Sequence, residues 1–203
     1  MKIVIVDYGM GNIHSIVGAL TFLGYKNNVI SNTRDEIISA DRLILPGVGN
    51  FGRAIQNISL LGLDKTLEDA QKNNQIPILG ICLGMQLLGM SSTESGINKG
   101  LEYFNGKVTR FKLDNLTIPH VGFNQVNHGG SMRIFNEIED GSDFYFTHSY
   151  KMLSDQKHSL AYCDYGSNFV CAFESELVAG VQFHPELSQH HGLKLIKNFL
   201  ELF

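Results

Sequence analysis

The residues best suited to chemistry lie in the stretch 80–86, Gly-Ile-Cys-Leu-Gly-Met-Gln. A short apolar run at 76–81 predicts a buried parallel strand, and the amphipathic run after Cys82 predicts a helix. Cys82 would then occupy the turn between them, in the frame of a nucleophile elbow, where small flanking residues allow a strained turn. A helix that begins there directs unpaired N–H groups toward the sulfur and favours the thiolate. The alternative is that Cys82 is a small core residue.

A cysteine nucleophile needs a base, and one of the eight histidines has a strong local context. Residues 178–186, Val-Ala-Gly-Val-Gln-Phe-His-Pro-Glu, predict an apolar strand that ends close to His184. Glu186 would hold the other imidazole nitrogen, fix its tautomer and stabilise the imidazolium. Taken alone, the tripeptide also fits a strand end followed by a solvated acid. Two strand ends that supply complementary parts of one catalytic unit favour a triad of Cys82, His184 and Glu186.

Composition restricts the class of protein. The chain has 203 residues, of which 43% are hydrophobic and 18% charged, so we expect one globular domain over residues 1–203. A net charge of −4 gives no indication of nucleic acid or a membrane surface as a partner, and no stretch approaches the roughly 20 apolar residues of a membrane span. Three cysteines at unrelated spacings argue against a disulfide framework or a metal site and fit a cytoplasmic location.

The chain as far as residue 99 alternates short strands and helices. We predict strands at 2–6, 25–30 and 42–45, helices at 13–23, 34–39 and 60–74, a loop at 91–99 and a final helix at 192–202. This alternation predicts an α/β fold: a three-layer, open, mostly parallel sheet with flanking helices, and catalytic residues at the carboxyl ends of strands. Beyond residue 99 we predict a hairpin within 100–126 that turns at Asp114 and Asn115, a strand at 143–150, and a hairpin around 166–168.

A second glycine-rich stretch offers a competing function. Residues 47–52, Gly-Val-Gly-Asn-Phe-Gly, match a dinucleotide-binding pattern, and Glu68 and Asp69 follow at a suitable distance for a ribose-binding acid. The match follows the third predicted strand, whereas the fingerprint usually occupies the first strand–helix turn. The other interpretation is that backbone N–H groups of this turn stabilise a developing oxyanion. A non-enzymatic nucleotide-binding module remains the alternative from another class.

Together these motifs resemble the class I, or triad, glutamine amidotransferases, whose marks are Gly-x-Cys-x-Gly-x-Gln and His-Pro-Glu. The chain is most similar to the glutaminase subunits of imidazole glycerol phosphate synthases, which belong to histidine biosynthesis. The similarity covers essentially the whole chain, including Lys-Ile-Val-Ile-Val-Asp-Tyr-Gly-Met-Gly-Asn at the start, Leu-Pro-Gly-Val-Gly at 45–49, Pro-His-Val-Gly-Phe-Asn-Gln-Val at 119–126 and His-Ser-Tyr at 148–150.

The resemblance implies that Cys82, His184 and Glu186 hydrolyse L-glutamine to glutamate and ammonia without a cofactor. It implies that the oxyanion hole is formed by the backbone of Gly47, Val48 and Leu83. It places the glutamine site at Gly49, Gln86, His148 and Ser149, although strand-end packing is an alternative for His148. It places a partner interface at Asn12, Phe123 and Gln125.

The resemblance also implies a partner. Free ammonia protonates in water, and the similarity leaves no part of the chain for an acceptor domain. We therefore expect a heterodimer with a (β/α)8-barrel synthase, or cyclase, that makes imidazole glycerol phosphate and the ribonucleotide AICAR. Two positions depart from the family pattern: Phe123 stands where tryptophan is common, and Leu187 where lysine usually follows His-Pro-Glu. Leu187 favours, as an alternative, a paralogue that supplies ammonia for amidation of a surface-polysaccharide sugar. A triad peptidase or deglycase is a third hypothesis.

Overall fold

The computed structural model describes residues 1–112, 116–156 and 159–203, and a sheet of eleven strands forms its centre. The strands, including two that lie outside this sheet, are β1 Ile3–Val6, β2 Asn28–Ser31, β3 Arg42–Leu45, β4 Ile78–Ile81, β5 Ser91–Ser92, β6 Asn98–Lys99, β7 Lys107–Arg110, β8 His120–Val126, β9 Ser142–His148, β10 Tyr150–Leu153, β11 Leu160–Asp164, β12 Asn168–Glu174 and β13 Val178–Val181. The helices are α1 Ile13–Phe22, α2 Arg34–Ile38, α3 Phe51–Leu60, α4 Leu63–Lys72, α5 Leu83–Leu87 and α6 Gln189–Leu202, with 3₁₀ turns at Arg133–Phe135 and Pro185–Leu187.

The order of the strands brings the two predicted catalytic motifs together. β2, β1, β3, β4 and β13 are adjacent in that order and run parallel. β4 and β13 pair directly, with Gly80 opposite Gly180. Because the strands are parallel, their carboxyl ends lie at the same edge of the sheet. Cys82 and His184 follow these two ends, so the sheet itself positions the predicted nucleophile beside the predicted base.

Two buried clusters confirm the expected three layers. Alternate residues of a strand face opposite sides of a sheet, and in β1 Ile3 and Ile5 pack into one cluster while Val4 and Val6 pack into the other. Helices α1 and α6 cover the first side. Helices α2 to α5 cover the second. The predicted α/β fold, with helices on both faces of the sheet, is therefore confirmed.

The predicted hairpin within 100–126 is wrong. β7 pairs with β10 and β5, whereas β8 pairs with β9 in a separate two-stranded sheet. The segment predicted as one strand at 143–150 is divided at Ser149, because β9 belongs to the small sheet and β10 to the large one. Asp114 and Asn115, the predicted turn, lie outside the described residues. The hairpin around 166–168 is confirmed by the antiparallel pairing of β11 and β12.

Several boundaries in the first half also differ from the prediction. Residues 51–60 form α3, which the glycine-rich pattern concealed: Asn50 caps the helix by accepting a hydrogen bond from the Arg53 N–H at 3.0 Å. Gly62, with a left-handed φ of 67°, separates α3 from α4, so the predicted helix at 60–74 begins only at Leu63. The second strand begins at Asn28, and the predicted loop at 91–99 contains β5 and β6. Within the described ranges, no helix is long and apolar enough to span a membrane.

Candidate active site

Cys82 lies in the turn between β4 and α5 with φ 54° and ψ −108°, a backbone conformation that residues other than glycine rarely adopt. At Gly80 and Gly84, on either side of Cys82, there is no room for a side chain. A Cβ on Gly84 would lie 1.9 Å from the Leu45 carbonyl oxygen, and a Cβ on Gly80 would lie 2.7 Å from the Met85 nitrogen. The predicted nucleophile elbow is therefore present in shape. Helix α5 spans only Leu83–Leu87, so its dipole contributes little to the charge at the sulfur.

His184 and Glu186 form a buried pair beside the elbow. His184 Nδ1 lies 2.8 Å from Glu186 Oε1, and the two side chains are 4% and 1% exposed. The interpretation of Glu186 as a solvated acid is therefore wrong. Pro185 begins the 3₁₀ turn that folds Glu186 back toward the imidazole. The second carboxylate oxygen, Oε2, is buried and has no hydrogen-bond partner within the described part of the chain.

The electrostatics of His184 favour its charged form. Burial lowers the pKa of His184, but Cys82 and Glu186 outweigh this effect and raise the pKa to about 10. At neutral pH the imidazole is therefore protonated, which places a positive charge beside the Cys82 sulfur. His184 Nε2 is buried and bonds to no described residue, which leaves it available for a reacting group. Burial, reinforced by the charge of Cys82, raises the pKa of the Tyr8 phenol, which donates to the Pro46 carbonyl at 2.6 Å.

Ser188 holds the backbone of His184 in place. Its hydroxyl donates to the His184 carbonyl at 2.6 Å and accepts from the Tyr145 N–H at 2.9 Å. The His184 N–H in turn donates to the Tyr145 carbonyl at 2.8 Å. The turn after β13 is thereby tied to β9. No local pattern in the sequence predicts this role for Ser188, whose only signal is its place two residues after Glu186.

A cavity of about 360 Å³ opens above Cys82 and is large enough for a molecule of amino-acid size. The four predicted glutamine-site residues line it. Its walls are Val48, Gly49, Cys82, Leu83, Gln86, Glu94, Pro119, Thr147, His148, Ser149 and Tyr150. Glu94 was not predicted from the sequence, because a single acid in a polar segment carries no local signal. Its Oε2 accepts from the Phe51 N–H at 2.7 Å, which fixes the carboxylate at the start of α3.

Gln86 is held by other groups of the cavity wall. Its Nε2 donates to Gln182 Oε1 at 2.9 Å and to the Tyr150 carbonyl at 3.1 Å. Gln182 is fully buried, and its own Nε2 lies 3.7 Å from Cys82 Sγ. The sequence of β13 predicts only an apolar strand, so it gives no sign that Gln182 donates to the sulfur.

His148 is unsuited to act as a base. Burial lowers its pKa to about 3. Its Nδ1 lies 2.8 Å from the Tyr150 carbonyl oxygen, and its Nε2 lies 3.1 Å from His120 Nδ1. Both ring nitrogens are therefore engaged. Ser149, by contrast, is only partly buried and lines the cavity.

The predicted oxyanion donors are only partly free. Val48 and Leu83 line the cavity together with Cys82, and a Cβ on Gly47 would lie 2.7 Å from Leu83 Cβ. The Leu83 N–H, however, donates to the Gly47 carbonyl oxygen at 3.3 Å. Val48 is 40% exposed at the cavity rim, and the following Gly49 has a left-handed φ of 110°.

The predicted interface residues lie on two elements. Phe123 is 50% exposed and packs edge-on against Tyr145, with ring centroids 5.5 Å apart. Gln125 is exposed two residues later on β8, on the same face of the strand. Asn12 is exposed at the position before α1, and its side chain makes no capping hydrogen bond.

The acids proposed for nucleotide binding are used elsewhere. Glu68 forms an ion pair with Lys72 at 2.6 Å, and Asp69 pairs with Arg34, all on the surface of α4 and α2. The structure thus gives the nucleotide-binding alternative no free acid at these two positions. Among the residues that the structure describes, no group of three or more His, Cys, Asp or Glu side chains has the arrangement of a metal site.

Comparison with known proteins agrees with this geometry. The family model for class I glutamine amidotransferases matches residues 4–202. The chain is 38% identical to the protein named imidazole glycerol phosphate synthase subunit HisH from Leptospira interrogans, over 98% of each chain. It is 42% identical to the subunit named HisH 2 from Vibrio vulnificus, over 99% of this chain and 94% of the relative.

Solved structures show the same fold. The crystal structure of a putative GMP synthase protein from Thermoplasma acidophilum superposes with a TM-score of 0.72 at 22% identity, covering 98% of this chain and 92% of the other. At this identity the similarity concerns the fold alone. The family match and the full-length relatives show that the chain belongs to the class I glutamine amidotransferase family.

Proposed function

We propose that this chain is the glutaminase subunit of an imidazole glycerol phosphate synthase and hydrolyses L-glutamine with Cys82, His184 and Glu186. The observation that carries the proposal is the pair of adjacent parallel strands whose ends bring a strained cysteine, which lines the cavity, together with a buried His–Glu pair. The names of the full-length relatives support the histidine pathway. On this proposal the whole chain, residues 1–203, serves as one amidotransferase domain.

The geometry suits a two-step acyl transfer. The Cys82 thiolate attacks the side-chain carbonyl carbon of glutamine, and the carbonyl oxygen takes the negative charge. The carbon–nitrogen bond then breaks as His184 gives its proton to the leaving nitrogen, which releases ammonia and leaves a thioester. Water, losing a proton to His184, attacks the thioester and releases glutamate. Glu186 holds the imidazolium through both steps.

The cavity offers groups for the amino-acid end of the substrate. Glutamine carries an ammonium and a carboxylate on its α-carbon, and both must be satisfied in a closed site. The Glu94 carboxylate is the acid of the cavity wall and is suited to the ammonium. Ser149 and the backbone of Gly49 offer donors for the carboxylate, and the Gln86 amide lies close to the nucleophile.

Ammonia must pass directly to a second active site. We place that site in a separate (β/α)8-barrel cyclase, bound as a heterodimer through Asn12, Phe123 and Gln125, which uses ammonia to form imidazole glycerol phosphate and AICAR. Val121 and Phe123, 57% and 50% exposed on one strand, give this surface its apolar character. We place the reaction in the cytoplasm, where the thiol is kept reduced. Neither nucleic acid nor a membrane is required.

A second candidate function uses the same chemistry with another acceptor. Leu187 is 42% exposed directly after Glu186, at the edge of the triad. An exposed leucine at this position favours an apolar partner contact in place of the ion pair that a lysine would form. This observation favours a paralogue whose synthase partner amidates a surface-polysaccharide sugar.

The test is glutamate release from L-glutamine by the purified chain, alone and with the cyclase of the same host plus the substrate of that cyclase. We expect low activity alone and a strong increase with the cyclase. Cys82→Ser should abolish both activities. Cys163→Ser, a change at a cysteine buried outside the site, should preserve them.

Each result separates the hypotheses. Cys82-dependent activity that ignores the cyclase would retain the glutaminase and exclude the histidine-pathway partner, which would leave the sugar-amidating synthase. Chemical labelling of the Cys82 thiol, in competition with glutamine or with peptides, tests the third hypothesis. Protection of Cys82 by peptides and not by glutamine would indicate a triad peptidase or deglycase. If Cys82→Ser and wild-type protein behaved alike under every condition, the glutaminase proposal would be wrong.

A further inference from the structure

A run of hydrogen bonds connects the small two-stranded sheet with the cavity. Asn124 Nδ2 lies 3.4 Å from His120 Nε2, and His120 Nδ1 lies 3.1 Å from His148 Nε2. His148 Nδ1 lies 2.8 Å from the Tyr150 carbonyl oxygen. The two imidazoles meet because His120 and His148 are opposite each other in the register of β8 and β9. The triad requires none of these contacts.

The Tyr150 carbonyl, at the inner end of this run of hydrogen bonds, determines which partner donates in each bond. The Tyr150 carbonyl can only accept, so His148 Nδ1 carries a hydrogen. Burial lowers the pKa of His148 to about 3 and the pKa of His120 to about 4, so both rings are neutral at pH 7 and each carries one proton. His148 Nε2 is therefore an acceptor, and His120 Nδ1 donates to it. His120 Nε2 must in turn accept.

Asn124 supplies the donor that His120 needs. Its Oδ1 accepts from the Gln125 N–H at 2.8 Å, and its Nδ2 donates to the Asp164 carbonyl at 3.0 Å. These two bonds fix which end of the amide faces His120. Every donor in the run thus points the same way, from Asn124 toward the Tyr150 carbonyl.

The Tyr150 carbonyl is also an anchor for the substrate site. It accepts from Gln86 Nε2 at 3.1 Å, while the other hydrogen of that nitrogen goes to Gln182 Oε1 at 2.9 Å. Both hydrogens of the Gln86 amide are therefore used, which leaves its Oε1 for the cavity. The position of one backbone oxygen thus determines how Gln86 is presented to a ligand.

We propose that His120 and Asn124 are positioning residues for the substrate: their directed hydrogen bonds fix the tautomer of His148, which holds the Tyr150 carbonyl and thereby orients Gln86. Without the donor from His120, His148 can protonate Nε2 instead. Its Nδ1 lone pair would then face the carbonyl oxygen and repel it. Substrate binding should weaken, whereas the chemical step should not change, because neither residue contacts Cys82 or His184. This inference rests on the proposed glutaminase function.

Two substitutions at position 120 separate the hydrogen bond from the packing. His120 stacks between Tyr165 and Phe146, with ring centroids 3.9 and 4.8 Å away. His120→Phe keeps an aromatic ring there and removes both nitrogens, and it should raise the KM for glutamine about tenfold, the size of one lost hydrogen bond, with kcat unchanged. His120→Asn keeps a donor near the place of Nδ1 and should keep the KM close to the wild-type value.

A second buried histidine provides the matched control. His128 is stacked on Phe135 at 4.5 Å and lies outside the run. His128→Phe should lower the melting temperature as much as His120→Phe does and leave the KM unchanged. An unchanged KM in His120→Phe, or equal KM changes in His120→Phe and His128→Phe, would overturn the proposal.

Nitrogen-15 NMR of the histidine rings tests the proposal without any enzyme assay. At pH 7 both His120 and His148 of the wild-type protein should be the Nδ1–H tautomer. An Nε2–H tautomer at either residue would contradict the directed run. Absence of glutaminase activity in the wild-type protein would instead defeat the proposed function, so the two failures can be distinguished.

Discussion

The Leu83 N–H donates a hydrogen bond to the Gly47 carbonyl oxygen across 3.3 Å. Leu83 directly follows Cys82, the proposed nucleophile, so its N–H is suited to bind the oxyanion. In this structure the Leu83 N–H is instead hydrogen-bonded to a carbonyl of the protein. A rotation of the peptide between Gly47 and Val48 would remove this oxygen and turn the Val48 N–H to the side that the oxygen now occupies. With the oxyanion hole assigned to Gly47, Val48 and Leu83, we expect a synthase partner that rotates this peptide to complete it.

Removal of the Val48 N–H should abolish most of the increase in kcat that the cyclase causes. Val48→Pro lacks the backbone N–H, whereas Val48→Ala keeps it. We expect the cyclase to increase kcat of the Ala variant about as much as that of the wild-type protein. The Pro variant should lose about 10²- to 10³-fold of the stimulated kcat, the usual effect of one oxyanion donor. Equal stimulation of both variants would show that Val48 N–H takes no part.

The strained backbone of Cys82 predicts that Cys82→Gly is more stable than Cys82→Ala, the reverse of the usual order. At ordinary positions a protein with glycine is less stable than one with alanine by about 0.5–1 kcal/mol, because glycine makes the unfolded chain more flexible. At φ 54° and ψ −108° the strain of a Cβ costs about 1–3 kcal/mol and outweighs that term. Cys82→Gly should therefore be more stable than Cys82→Ala in urea denaturation, although both are inactive. The ordinary order, with Ala the more stable, would show that the turn is unstrained.

The sequence predicted the triad because its signals are local. Gly80, Cys82 and Gly84 specify a turn by their sizes alone, and an apolar run before His184 predicts a strand end. Parallel strands bring their carboxyl ends together, so two strand-end motifs imply one site without knowledge of the strand order. The fold class follows from the same alternation of strands and helices.

The rest of the site depends on contacts between distant residues. Gln182 donates to Cys82 only because β13 lies beside β4, and Glu94 reaches the cavity only because the start of α3 holds its carboxylate. The hairpin within 100–126 failed for the same reason: β8 finds its partner in β9, which a local turn signal cannot reveal. The bond between Gly47 and Leu83 likewise has no sequence signature.

The space around Gly84 predicts a severe loss of stability. A methyl group there would lie 1.9 Å from the Leu45 carbonyl oxygen, so Gly84→Ala must displace the backbone of β3 or of α5. Gly18, inside α1, has no atom of the described residues within 4 Å of the corresponding position, apart from its chain neighbours and the backbone of its own helix. Gly18→Ala should stabilise the protein by about 0.5–1 kcal/mol through helix propensity. Gly84→Ala should lose more than about 3 kcal/mol. Thermal unfolding of both variants is the measurement, and a Gly84→Ala protein as stable as wild type would contradict the packing described here.

The pair of His184 and Glu186 predicts a pH-dependent contribution to stability. The pKa of His184 is raised in the folded state from 6.5 to about 10, so the folded protein holds a proton that the unfolded chain releases. This contribution is complete below pH 6.5 and is lost as the pH rises toward 10. Glu186→Gln removes one of the groups that raise the pKa. The difference in unfolding free energy between wild type and variant should therefore be largest near pH 6.5 and shrink toward pH 10.

The same substitution tests the role of Glu186 in catalysis. Without the carboxylate the imidazolium loses its partner, so Glu186→Gln should lower kcat for glutamine hydrolysis by about 10²- to 10⁴-fold. Glu176→Gln, at an exposed acid away from the site, is the matched control and should alter neither kcat nor the pH dependence of stability. Urea denaturation of the three proteins between pH 6 and 10, with kcat measured at pH 7.5, checks both expectations. A constant stability difference across that range would mean that Glu186 supports His184 by packing rather than by charge.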